Sequence, residues 1–106
     1  MGFFDFLKQP DINQGVEDYR NTAGALLLDV RTPGEYREGH ISGSINVPLQ
    51  SIDNIEYVTE NKDKVLYVYC HSGVRSRQAT GILRHMGFTD VRNIGGIAAY
   101  CGKVEG

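Results

Sequence analysis

Cys70 heads the segment Cys70-His71-Ser72-Gly73-Val74-Arg75-Ser76, whose residue types suit a nucleophilic thiol. A thiol reacts as its thiolate, which forms more readily beside cations and at helix N-termini. Gly73 lets the backbone turn successive N–H groups inward as an anion-binding nest. Arg75 adds a permanent positive charge, and Arg77 and His71 can add more, although Arg77 lies far enough into the next helix to face solvent. An inert buried cysteine is only a small hydrophobe and needs no glycine, arginine or helix start beside it. Cys70, as an exposed thiolate, and Arg75 are therefore read as catalytic. His71, Ser72, Gly73, Val74 and Ser76 are read as substrate-binding, with the N–H groups of residues 71–76 expected to converge on the sulfur. Residue types and spacing alone do not name the reaction.

A nucleophile needs a rigid strand beneath it. Val65-Leu66-Tyr67-Val68-Tyr69 is β-branched and aromatic throughout, and such a continuous apolar run fits a strand buried on both faces of a parallel sheet. Cys70 then lies at its carboxyl end, where ligands bind in open α/β sheets. After the loop, Ala79, Ile82, Leu83 and Met86 recur at helical spacing and predict an amphipathic helix ended by Gly87. Upstream, Asn13 is expected to cap a short helix carrying Val16 and Tyr19 and closed by Gly24. Ala25-Leu26-Leu27-Leu28 follows as a second buried strand. Thr32-Pro33-Gly34-Glu35 has a capping residue, a proline at the first helical position and a glutamate three residues after the cap. Gly39 would end that helix. Ser44-Ile45-Asn46-Val47 reads as a short strand, Leu49, Ile52 and Ile55 as a helical stripe, and Val91 to Ile94 as a last strand. This alternation predicts an α/β fold with a central, mostly parallel sheet and helices on both faces.

Composition bounds what such a domain can do. The chain has 106 residues, 41% hydrophobic and 23% charged, with a formal net charge of −2. That length supports one domain, divided here into a Phe-rich segment over 1–10 and a folded unit over 11–106. The negative balance argues against a nucleic-acid partner, which would call for a basic surface. No apolar run has the length of a membrane span. Two cysteines, Cys70 and Cys101, give neither a disulfide framework nor zinc-ligand spacing, and His40, His71 and His85 form no i,i+4 pair. No metal is expected, and a cytoplasmic setting is the simplest. The start M-G-F-F-D-F-L-K lacks the basic, long apolar pattern of a signal peptide. Its Phe3, Phe4 and Phe6 are read as a tail folded on the domain, or else as a contact for a protein partner or membrane surface.

Several ordered motifs resemble the rhodanese-like sulfurtransferases, over about residue 11 to Gly102. The stretch L-L-D-V-R-T-P-G-E-Y-R-E-G-H-I-S-G-S-I-N-V-P-L is similar to the family's region from the first core strand through its G-H-I motif. Y-C-H-S-G-V-R-S is similar to its active-site loop, and G-G-I-A-A-Y stands where the family usually ends in G-G-I-x-x-W. The resemblance implies a rhodanese-like α/β fold and a reaction in which Cys70 takes a sulfane sulfur from thiosulfate or a persulfide, then yields it to a thiol or cyanide. It implies no cofactor. Asp29 and Arg31 match the family's D-V-R and are expected to brace the loop. Glu35 and His40 are expected to pack or hydrogen-bond. Tyr100, in place of tryptophan, brings a hydroxyl that needs a partner if buried, and Cys101 is read as a packing residue.

Two other readings use the same features. A cysteine-dependent phosphatase would also need a thiolate, inward amides and an arginine. Phosphatases of related fold use a longer spacer, however, than the four residues between Cys70 and Arg75. A non-catalytic protein-binding module could share the fold, since fold alone does not establish activity.

Overall fold

The computed structural model describes residues 10–106, so the Phe-rich start with Phe3, Phe4 and Phe6 lies outside the described residues. Its first helix, α1 (Ile12–Arg20), is capped by Asp11, whose Oδ1 accepts the N–H groups of Asn13 at 3.0 Å and Gln14 at 3.4 Å. Asn13, the expected cap, is instead the second residue of the helix. Its side chain ties α1 to the chain's far end, donating to Ala99 O and accepting from Cys101 N. Both are Asx residues, so the local pattern did not distinguish them.

The main sheet is wholly parallel, with spatial order β3 (Ile45–Asn46), β1 (Leu26–Asp29), β4 (Val65–Cys70), β5 (Asp90–Gly96). Strand alternation divides the core in two. Leu27, Tyr67, Tyr69 and Ile94 face α1 through Ile12 and Val16. Leu28, Leu66, Val68 and Cys70 face the opposite layer with Ala79 and Leu83. That layer is helix α3 (Val74–His85) and the 3-10 segment Leu49–Tyr57, which contributes Ile52 and Ile55. Leu27, Leu28, Leu66, Tyr67, Val68 and Tyr69 are all buried, as expected of strands covered on both faces.

Between β1 and β3 lies α2 (Pro33–Glu38), with the anticipated capping box: Thr32 Oγ1 accepts Glu35 N–H, and Glu35 Oε1 accepts Thr32 N–H. Gly39 ends the helix, and β2 (His40–Ile41) follows. It pairs antiparallel with β6 (Val104–Glu105) as a small second sheet. Two expectations fail in detail. The Leu49, Ile52, Ile55 stripe forms 3-10 rather than α-helix, with a kink at Ser51. On α3, Ile82 is 41% exposed while Ser76 and Thr80 are buried. The buried face of α3 is rotated toward the polar side chains that serve the Cys70 loop, and a hydrophobic count overlooks these.

Candidate functional site

Cys70 is the last residue of β4, a central strand, and α3 starts four residues later. The turn between them closes at Gly73, with φ +104°, a left-handed conformation that favours glycine. No side chain caps α3. Instead the Gly73 N–H donates to the Cys70 sulfur at 3.0 Å, so the sulfur occupies the place of a cap and receives the positive end of the helix. Ser76, in the first turn of α3, brings its hydroxyl to 3.5 Å from the same sulfur. Burial pushes the Cys70 thiol up, but the Ser76 hydroxyl and the N–H groups of Ser76, Gly73 and Ser72 outweigh it, and the net displacement is downward. The arrangement thus favours the thiolate, as expected of an electropositive nest.

The expected exposed thiolate is not found. Cys70 is 0% exposed, because the 71–73 turn folds over a sulfur that points into the α3 layer. His71, Ser72 and Val74 are the exposed residues of the loop. The second cysteine, Cys101, is exposed, which corrects its reading as a packing residue. Its sulfur lies near Ala99 O.

Arg75 does not aim a lone charge at the sulfur. Its guanidinium makes a bidentate pair with Glu35, 2.6 and 2.9 Å, joining α3 to the capping box of α2. The same contact, ahead of the Thr32 hydrogen bonds, holds the Glu35 carboxyl at about 2 against an opposing burial effect. Arg75 also lines a recess with Val30, Thr32, Pro48, Leu49 and Gln50, an apolar wall with one ion pair at its rim. Asp29 and Arg31 are paired at 2.7 Å. They brace the turn after α2 rather than the 70–76 loop, since Arg31 also donates to Gly39 O at 2.6 Å. His40 stacks on Tyr36 with ring centroids 3.8 Å apart, a packing role as anticipated. Tyr100 packs against the α1 side of the core, its hydroxyl 3.5 Å from Arg20 Nη2.

Three contributors from β5 were not anticipated. Asn93 Oδ1 accepts from Ser76 Oγ at 2.7 Å and from Gly95 N at 3.0 Å. Gly95 and Gly96 form the floor on which the loop lies, and a Cβ on Gly96 would overlap the His71 carbonyl and approach Ser72 Cα to 2.6 Å. The Gly-Gly pair was visible in the sequence, but its partner loop lies more than twenty residues upstream. Among the described residues no group of three or more His, Cys, Asp or Glu side chains could hold a metal ion, and no helix is long and apolar enough to cross a membrane.

Comparison with known proteins gives a consistent result. A family model described as Rhodanese-like domain matches residues 13–103. Thiosulfate sulfurtransferase PspE of Escherichia coli is 41% identical over 71 residues, 66% of this chain and 68% of that protein. A tRNA uridine(34) hydroxylase of Salmonella newport is 31% identical over 95% of this chain, but the chain spans only 29% of that protein. Among solved structures, a rhodanese with anions from E. coli superposes with TM-score 0.71 at 35% identity, covering 76% of this chain and 96% of the other.

Proposed function

Since the chain belongs to the rhodanese-like domain family, we propose that it is a sulfurtransferase carrying sulfane sulfur as a persulfide on Cys70. The observation that supports this most is the Cys70 sulfur at the start of α3, 3.0 Å from the Gly73 N–H and beside the Ser76 hydroxyl. In the first step the Cys70 thiolate, reached by displacement of the 71–73 turn that covers it, attacks the outer sulfur of thiosulfate. A sulfur–sulfur bond forms to Cys70, the bond within thiosulfate breaks, and sulfite leaves with the electron pair. The loop amides stabilise the anionic persulfide left behind. In the second step a thiolate or cyanide attacks the outer sulfur of the persulfide, and Cys70 departs as the thiolate. Electrons and atoms balance without a cofactor.

The Glu35 pair bears on the donor. With its charge matched by Glu35, Arg75 offers less attraction to a dianion than an isolated guanidinium would. The relationship to a much longer tRNA hydroxylase leaves open a donor or acceptor that is itself macromolecular. The net charge of −2 favours a protein over a nucleic acid there.

Steady-state transfer from thiosulfate and from an alkyl persulfide to cyanide, with wild type and Cys70→Ser side by side, tests the reading. Transfer with at least one donor that Cys70→Ser abolishes is expected. A phosphate-ester panel run in parallel should show no Cys70-dependent hydrolysis, and robust hydrolysis would replace the assignment with a phosphatase.

A further inference from the structure

The Ser76 hydroxyl has one proton and several neighbours able to take it. Asn93 Oδ1 lies at 2.7 Å, Gly73 O at 3.0 Å, Gly95 O at 3.4 Å and the Cys70 sulfur at 3.5 Å. The orientation of the Asn93 amide is set by the Gly95 N–H, which donates to the same Oδ1 at 3.0 Å. An amide turned the other way would set donor against donor there. The shortest contact therefore claims the proton. Ser76 donates to Asn93, and its oxygen accepts the Cys70 S–H. When the sulfur loses its proton to solvent the demand reverses, because an anionic sulfur needs the hydroxyl as donor and Ser76 must turn away from Asn93.

We propose that Asn93 is a positioning residue that competes with Cys70 for the Ser76 hydroxyl proton and so sets how readily the thiolate forms. Its meaning for catalysis rests on the reading of Cys70 as the reacting sulfur. The other charges packed around the loop do not pass through Asn93. Arg75 of α3 is held by Glu35 of α2, Asp29 and Arg31 pair with each other at the end of β1, and Asp90 with Arg92 occupies the opposite end of β5. His71 is exposed within the loop itself.

Substitutions of opposite chemistry separate this role from a merely structural one. Asn93→Leu keeps much of the volume but removes the acceptor, and Asn93→Asp keeps the acceptor and makes it anionic. The readout is the pH midpoint of Cys70 alkylation by iodoacetamide, resolved from Cys101 by peptide mass. Asn93→Leu should lower the midpoint by about half to one pH unit, as expected from releasing one ordinary hydrogen bond, and Asn93→Asp should raise it by about one. In a Ser76→Ala background the Asn93→Leu shift should vanish. Shifts in the same direction, no shift, or a shift that persists without Ser76 would overturn the proposal. If Asn93→Leu does not fold, Asn93→Asp decides in its place, measured with and without Ser76→Ala, since a midpoint that fails to rise, or that rises as much without Ser76, contradicts the proposal. Alkylation needs no sulfur donor, so a failure of sulfur transfer with the opposed shifts intact would remove the enzymatic reading and leave this one standing.

Discussion

Glu35→Gln probes the junction that holds the start of α3 against α2. In the native protein Glu35 accepts two hydrogen bonds from Arg75, at 2.6 and 2.9 Å, and two from Thr32, its N–H and its hydroxyl, each at 3.1 Å. Glutamine retains an oxygen for Thr32, so the substitution removes chiefly the ion pair. The fall of the carboxyl from 4.5 to about 2 would convert to about 3 kcal/mol. Both side chains are roughly a third exposed, at 34% for Arg75 and 31% for Glu35, and solvent screening reduces the pair to about 1 kcal/mol. Urea unfolding of wild type and Glu35→Gln should therefore differ by about 1 kcal/mol near neutral pH, or a melting shift of about 4–8 °C for a domain of this size. The sign with pH follows from the lowered carboxyl. Stability from Glu35 is complete above its unfolded value of 4.5 and is lost as pH falls toward about 2. The two proteins should converge in acid. A difference independent of pH, or one that grows in acid, would refute the ion-pair account.

Two further perturbations address the loop. At neutral pH a bulky maleimide should label exposed Cys101 at least about tenfold faster than buried Cys70, while unfolding brings the two together; faster native labelling of Cys70 would show that the 71–73 turn opens freely. Gly96→Ala, whose methyl would overlap the His71 carbonyl, should cost about 1–3 kcal/mol in denaturant unfolding and lower sulfur transfer. A Gly96→Ala protein of native stability and activity would show that the floor of β5 is not what seats the loop.

The sequence displayed the parts of the fold that local chemistry dictates. The Thr32 to Glu35 capping box, the doubly buried run 66–69 and the strand-end position of Cys70 all follow from neighbouring residue types. The unread features depend on long-range partners. Glu35 meets Arg75 forty residues away, and Gly96 supports His71 from a different strand. Ser76 is buried on α3 with its hydroxyl bonded across to Asn93 Oδ1 on β5, and the buried Thr80 hydroxyl is satisfied by Ser76 O, while Ile82 is turned outward. Hydrophobic periodicity counts such polar residues as solvent-facing. The burial of Cys70 has the same origin, since nothing within the loop's own sequence says which way the sulfur turns.

The persulfide itself gives the most direct test of the central claim. Intact-mass measurement of the whole chain after incubation with thiosulfate, and separately with an alkyl persulfide, should show one added sulfur atom. Peptide mapping should place it on Cys70, cyanide should remove it, and Cys70→Ser should not acquire it. No adduct with either donor, or an adduct confined to Cys101, would contradict the account.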